Sequence, residues 1–428
     1  MKRITIITAI LLVTRFMYGQ MSLNDCLEYA AEHAHDNIFS RLELSKATVD
    51  KRITAAELMP DLSFSSSGNL SFGRNIDPET NTYDNKQTLS TGFGLNLSVP
   101  LFDGMVRLNN LKAAETARRR RMTDAEIERD RISFDVIRSF FNVAYCTAMV
   151  DQMKMQLQRD SLDLEATRRW ESVGVKSGAD VAQLEALVAT DEFELTNQRG
   201  LLAKAYHTLK GAMGMPPDGE PLRLTFDVPE FLPEAGAMNP RVTEAQLALR
   251  QSELELRAAR GLFSPRISLS GGISTSYYRM FGSNSTAAAG FSRQWHDNMG
   301  QYVGVSVAIP LFTGLATTNR LKRAKINVEQ SRVKLEKARY DVERETADAR
   351  LDLLTASAEL EAARKRLDAE MAAYDAVHRR YELGNASVID LYTAGAQLTA
   401  AKAACEGKRI QVIISKITLS YYYGAKLI

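Results

Sequence analysis

The sequence predicts a mainly α-helical chain with a membrane β-barrel portion, built from one unit that occurs twice. Two very long stretches contain neither Gly nor Pro, and this absence predicts two unusually long helices. Four shorter segments alternate polar and apolar residues with period two, as half-buried strands do. A Gly-centred motif occurs once in each half, directly after each long stretch.

The repeated motif runs over Val173–Val181 and again over Leu383–Leu391. In each copy a Gly follows an apolar residue, and Ser and Asp come later in a Ser-x-x-Asp arrangement. Gly after a periodic run ends a helix, because it enters the left-handed conformation at little cost. Ser-x-x-Asp is typical of a capping box that begins the next helix. Each copy is therefore predicted to be a tight turn, or tip, at the end of a helical hairpin.

The duplication extends through most of the chain. Val99–Gly104 matches Ile309–Gly314 at the same offset that relates the two tip glycines. Each half is predicted to run helix, strand, strand, long helix, tip, helix. The expected boundaries are a signal peptide at 1–19, a first unit at 20–210, a connector at 211–240 and a second unit at 241–428. The strands are expected at about 61–73, 87–99, 266–278 and 301–312, and the tips at about 173–181 and 383–391.

The first residues predict export from the cytoplasm. Lys2 and Arg3 form a basic start, an apolar run follows, and Gly19 is small enough for a cleavage site. No other stretch is long and apolar enough for a transmembrane helix. The three cysteines, Cys26, Cys146 and Cys405, lack the spacing of a disulfide framework and are interpreted as buried free thiols.

The strands favour a membrane barrel over a soluble sheet with one wet face. Leu and Phe alternate with Ser, Gly and Asn, and the strands are about ten residues long, the length that crosses a bilayer. Four strands cannot close a barrel, and an open edge is not tolerated in lipid. Several copies of the chain are therefore required; two would supply eight strands and three would supply twelve.

The chemistry that would indicate an enzyme is absent from the sequence. Metalloprotease, serine-hydrolase, Cys-x-x-Cys and phosphate-loop motifs are missing, and no cofactor or metal is expected. His33 and His35 are interpreted as surface residues. The net charge of +2 gives no electrostatic case for a nucleic-acid partner.

The duplicated plan resembles the TolC family of outer-membrane efflux proteins. The resemblance rests on Pro-Leu-Phe-x-Gly after the second strand of each half and on Gly-x5-Asp at each tip. It implies a homotrimer with a twelve-stranded β-barrel in the outer-membrane lipid and a helical barrel in the periplasm. It also implies a periplasmic adaptor (membrane fusion) protein and an inner-membrane RND or ABC transporter as partners.

The resemblance also implies roles for individual residues. Asp180 and Asp390 match tip aspartates of the family, and Tyr381 matches a tip tyrosine. Thr393 stands where some members carry a second acid. The residues expected to form the adaptor-docking turns are Val173, Gly174, Ser177, Leu383, Gly384 and Ser387.

The function expected from these observations is a passive exit duct for drugs or other exported molecules in a tripartite efflux system. An outer-membrane duct for type I protein secretion is an alternative with the same architecture. An exported coiled-coil structural or adhesion protein is a third interpretation, which the strand alternation disfavours.

Overall fold

A computed structural model of the chain describes residues 20–76, 81–218, 222–227, 238–281 and 290–427. The predicted signal peptide lies outside these residues, as do parts of the connector and of the loops between paired strands. The elements in chain order are α1 (Leu23–His33), α2 (His35–Ala56), β1 (Asp61–Ser71), β2 (Arg74–Ile76), β3 (Tyr83–Asn85), β4 (Gln87–Phe102), α3 (Val106–Ser172), α4 (Gly178–Met213), α5 (Pro240–Gly261), β5 (Arg266–Phe281), α6 (Phe291–Asp297), β6 (Gly300–Ala308), α7 (Ala316–Glu382) and α8 (Val388–Tyr422).

The described residues fall into two compact units, and each unit takes segments from both halves of the sequence. The first contains residues within Met1–Glu43, Met122–Glu244 and Glu336–Ile428. The second contains residues within Leu44–Arg121 and Ala245–Leu335, including all six strands. Among the described residues, none of the helices has both the length and the apolar content that crossing a bilayer requires.

The two predicted long helices are continuous. Helices α3 and α7 each contain 67 residues without a break. A stripe of residues at multiples of seven along α7 faces inward, and its members Leu360, Tyr374 and Tyr381 are buried. Burial of this stripe, rather than helix propensity alone, stabilises a helix of such length.

The sequence predicts one first helix from roughly Leu23 to Leu58, but the segment forms two helices. The helix breaks at Ala34, whose ψ of 130° is extended. Side chains bond carbonyl groups near the break. Asn37 Nδ2 donates at 3.2 Å to the Ala30 carbonyl, which also accepts from the Ala34 amide, and Arg41 Nη2 donates to the Glu32 carbonyl at 2.6 Å. His33 and His35, on the two sides of the break, are exposed as predicted.

The core of the first unit forms around α1. Leu23, Cys26 and Leu27 are fully buried among side chains from the middle of α3 and the end of α4. Burial raises the pKa of the Cys26 thiol to about 12, so this cysteine is an inert core residue. Cys146 is also buried, whereas Cys405 is only partly buried, which corrects that part of the prediction.

The main sheet has the order β1-β4-β5-β6, and all neighbours are antiparallel. Its register places the predicted apolar positions on one face, because Phe64 pairs with Leu95, Leu95 pairs with Ile273, and Leu269 pairs with Val305. The opposite face carries mostly Ser, Gly and Asn. The strand ends differ from the prediction: β5 continues to Phe281, and β6 ends at Ala308 rather than near 312.

Candidate functional site

The two tips have the same backbone geometry. Gly174 and Gly384 have φ values of +79° and +76°, as the sequence predicted. Around Gly174, the Val175 amide donates to the Trp170 carbonyl and the Gly174 amide donates to the Glu171 carbonyl, both at 2.8 Å. The same pair of bonds closes α7 at Gly384. This pattern is a Schellman motif, which ends a helix by satisfying its last carbonyls.

Each tip then begins a new helix with the predicted capping box. The Asp180 amide donates to Ser177 Oγ at 3.2 Å, and Asp180 Oδ2 accepts from the Ser177 amide at 3.0 Å. Ser387 and Asp390 repeat this arrangement at 3.1 and 3.0 Å. Hydrogen bonds from the backbone and the side chain of the cap serine lower the pKa of both aspartates. Both carboxylates are therefore negatively charged at neutral pH.

Tyr381 connects the two hairpins beneath the tips. Its side chain is 1% exposed, and its hydroxyl lies 2.8 Å from that of the fully buried Thr167 on α3. The Lys176 ammonium lies 4.2 Å from the centre of the Tyr381 ring, and Trp170 meets the ring edge-on. The tyrosine is thus a packed structural element of the tip, and burial raises the pKa of its hydroxyl.

The outer surface of the tips is apolar. Val173 and Val175 of the first tip and Leu383 and Ile389 of the second are among the most exposed large hydrophobic residues of this unit. Thr393 is exposed and donates its hydroxyl to the Ile389 carbonyl at 2.8 Å, so its side chain is held against its own helix. The turns therefore present apolar side chains on a rigidly capped frame.

A buried polar network lies farther along the same hairpins, and the sequence analysis missed it. Gln152 Nε2 donates to the Thr399 carbonyl at 3.0 Å, and Thr399 Oγ1 donates to Gln156 Oε1 at 2.6 Å. Gln156 Nε2 then donates to Asp191 Oδ1 at 2.9 Å. This chain of bonds joins α3, α4 and α8.

The network continues into two buried carboxyl groups. The side chains of Asp160 and Asp191 are both buried and interact with each other. Burial, followed by the interaction with the Asp191 side chain and by the nearby charges of Asp191 and Asp163, raises the pKa of Asp160 to about 8. A proton shared between the two carboxyls explains how they remain in contact. Asp163 also contacts His378 of α7, with Oδ1 3.3 Å from the ring Nε2.

These acidic groups do not form a metal centre. Across the part of the chain that the structure describes, no group of three or more His, Cys, Asp or Glu side chains has an arrangement that could hold a metal ion. The tips and the network thus provide capping, packing and charge.

Comparison with known proteins identifies a relationship over both halves. Residues 29–215 and 231–425 match the family model described as "Outer membrane efflux protein". The outer membrane efflux protein BepC of Brucella suis is 25% identical over 334 residues, which span 76% of this chain and 68% of BepC. The probable efflux pump outer membrane protein TtgC of Pseudomonas putida is 26% identical over 272 residues, which span 60% of this chain and just over half (54%) of TtgC.

Solved structures show the same fold. A structure of CusC superposes with a TM-score of 0.81 at 19% identity and covers 96% of this chain and 94% of that chain. The outer membrane protein VceC of Vibrio cholerae gives a TM-score of 0.78 at 18% identity, with 95% of this chain and 97% of that chain covered.

Proposed function

Because the chain belongs to the outer membrane efflux protein family, whose members are passive channels of the outer membrane and not enzymes, we propose that it is the outer-membrane exit duct of a tripartite efflux system. This membership argues against the third interpretation from the sequence, a coiled-coil structural or adhesion protein. Solutes would pass through the duct without an energy source in this chain, and an inner-membrane transporter would drive export through a periplasmic adaptor.

The main sheet is the observation that carries the proposal. Its apolar face is exposed, with 64% of Val305 and 83% of Val303 accessible, while the opposite face carries small polar side chains. Strands β1 and β6 form the two outer edges of this sheet. An apolar face and a polar face are what a lipid-embedded barrel with a wet lumen needs, and open edges must be closed inside a membrane.

Three copies would close these edges by pairing β6 of one copy with β1 of the next, giving a twelve-stranded barrel. A cysteine introduced into β1 combined with one in β6 should form a disulfide between chains in outer-membrane preparations. The cysteine in β6 should be moved through successive positions that share a face, so that each register across that edge is tested. If no pair cross-links between chains although the protein is in the membrane, the barrel is not closed by pairing β6 of one copy with β1 of another.

The apolar tips are the proposed docking surface for the adaptor. Val173 and Leu383 stand beside glycines whose positive φ sets the turn. No atom lies within 4 Å of where a Cβ would stand at Gly174 or Gly384, so Ala there alters only the backbone preference. We expect Gly174→Ala/Gly384→Ala to weaken cross-linking to the adaptor while the barrel still assembles. Gly200→Ala is the matched control, because Gly200 lies inside α4 with equally open space.

The charges at the tips are the proposed gate of the duct. In a trimer, Asp180 and Asp390 would each occur three times around one axis, and clustered carboxylates attract cations. Asp180→Asn/Asp390→Asn keeps an acceptor for each cap and removes the charge. Reconstituted pores of this variant should lose cation selectivity. Unchanged selectivity would mean that the two aspartates act only as helix caps.

A further inference from the structure

The short helix α6 closes a part of the sheet edge that β6 leaves open. β6 begins at Gly300, which pairs with Ser274, while β5 continues to Phe281. Beyond Ser274, amide side chains of α6 and its C-cap occupy the position of the missing strand. The Tyr278 amide donates to Gln294 Oε1 at 2.9 Å, and Gln294 Nε2 donates to the Tyr278 carbonyl at 3.0 Å. Asn298 Nδ2 donates to the Ser276 carbonyl at 2.8 Å.

The same helix covers part of the apolar face. The Trp295 ring lies 5.1 Å from Phe93 and 5.6 Å from Phe291, measured between centroids, and Phe291 lies 5.3 Å from Tyr277. The register places Phe93 and Tyr277 on the apolar face of the sheet, because Phe93 pairs with Thr275. Phe93 therefore packs beneath an aromatic layer that α6 supplies.

The outward side of α6 is mixed in character. Phe291 is half exposed at 50%, while Arg293, His296 and Asp297 are exposed. Arg293 and Asp297 form an ion pair at 3.5 Å. Charged side chains are too costly for the hydrocarbon core, whereas Trp and other aromatic rings concentrate at the boundary between headgroups and acyl chains. The composition of α6 fits that boundary.

The length of β6 places the boundary between headgroups and acyl chains at the level of α6. β6 has nine residues, and a strand of 9–11 residues at the usual tilt of about 45° just crosses a bilayer. The apolar band of an outer-membrane barrel is about 25 Å tall. β6 therefore fills the hydrocarbon thickness, and the part of β5 that α6 covers lies beyond its outer end.

We propose that α6 is a lipid-interface helix that lies on the outside of the barrel at the headgroup boundary of the outer leaflet. Trp295 and Phe291 contact the upper acyl chains, the charged side chains face the headgroups, and Gln294 and Asn298 cap the strand edge where water and lipid meet. This proposal rests on the proposed function, since it takes the apolar face to be the lipid face.

Tryptophan fluorescence offers a direct test, because the chain contains two Trp residues, Trp170 and Trp295. Trp170→Phe leaves Trp295 as the only tryptophan, and Trp295→Phe is the matched control that leaves Trp170. Both proteins would be reconstituted into phosphatidylcholine vesicles whose acyl chains carry bromine, a contact quencher, either near the headgroup or near the methyl end. We expect Trp295 to lose emission, and to lose more with bromine near the headgroup, while Trp170 keeps its emission.

Flotation of the vesicles on a density gradient separates the possible failures. If the Trp170→Phe protein floats with the vesicles but Trp295 is quenched by aqueous iodide and not by brominated lipid, the helix lies in water and the proposal is overturned. If neither agent quenches Trp295, another protein surface covers the helix, and the proposal is again overturned. If the protein does not float, the membrane function itself fails.

Discussion

At the residue scale, the buried carboxyl pair shows what a sequence cannot reveal. Asp160 and Asp191 lie on different helices, and neither belongs to a motif, so only the packing of α3 against α4 brings them together. The tip residues were different: Ser177 and Asp180 lie within one turn, and their capping bonds follow from local spacing. Local rules therefore predicted the caps, and tertiary packing decided the buried network.

The raised pKa of Asp160, to about 8, predicts how stability depends on pH. An ordinary Asp has a pKa of about 3.9 in the unfolded chain, so the folded protein binds the proton more tightly. The stabilisation is complete below the unfolded pKa and declines as pH rises from about 4 to about 8. Thermal unfolding of the detergent-solubilised protein should therefore occur at lower temperature at pH 8 than at pH 5.

Asp160→Asn tests the origin of this slope. The Asn amide can donate to Asp191 as the protonated carboxyl does, without requiring a proton from solution. The variant should lose part of the decline between pH 5 and pH 8, while Asp151→Asn, which changes an exposed acid on the same helix, should retain it. An identical pH slope in Asp160→Asn and the unaltered protein would show that Asp160 is ionised throughout.

At the element scale, the duplicated Pro-Leu-Phe-x-Gly motif provides two glycines with different surroundings. Both Gly104 and Gly314 have positive φ, at +71° and +59°. A Cβ at Gly104 would collide with the Gly261 carbonyl oxygen and with the Ser264 side chain. At Gly314 no atom lies within 4 Å of that position. The motif has the same backbone conformation in both halves but is tightly packed only in the first.

Alanine at these two positions should therefore have unequal effects. Gly314→Ala carries mainly the left-handed penalty, about 1–2 kcal/mol. Gly104→Ala adds a backbone clash where the start of α3 meets the end of α5, so its loss of unfolding free energy should be clearly larger. Denaturant unfolding of the two variants gives the comparison; equal losses would contradict the close approach at Gly104.

The alternation of the strands was predictable because one face must be apolar over its whole length. The edge cap by α6 was not, since Gln294 bonds Tyr278 on β5, 16 residues away, and the helix has only seven residues. The break at Ala34 was also missed, because no Gly or Pro marks it. A continuous pattern of alternation predicts which face of a strand a side chain occupies. The ends of strands and the breaks in helices depend on tertiary contacts, which local sequence does not show.

The two faces of β6 should respond differently to charge. Val305 lies on the apolar face and is 64% exposed, while its neighbour Ser306 lies on the polar face, where its hydroxyl is 2.7 Å from that of Ser268. Val305→Arg should impair assembly by about 2–4 kcal/mol if it lies near the bilayer midplane. Ser306→Arg should be tolerated better. Heat resistance of the folded oligomer on gels gives the readout, and equal loss from both variants would contradict the assignment of an apolar and a polar face.

At the scale of the whole molecule, we take one chain to be an incomplete part of a channel. The main sheet has an exposed apolar face and two outer edges, and the tips expose apolar side chains on capped turns. A single chain in water would leave all of these surfaces uncovered. If the chain assembles as proposed, further copies in lipid would cover the sheet, and an adaptor would cover the tips.

Native mass spectrometry of the complex, released from detergent micelles, is the most direct test of assembly from three copies. We expect a species with three times the mass of the processed chain, without larger or smaller stable assemblies. A membrane-extracted protein that remains a monomer, or that closes as a dimer with eight strands, would contradict it.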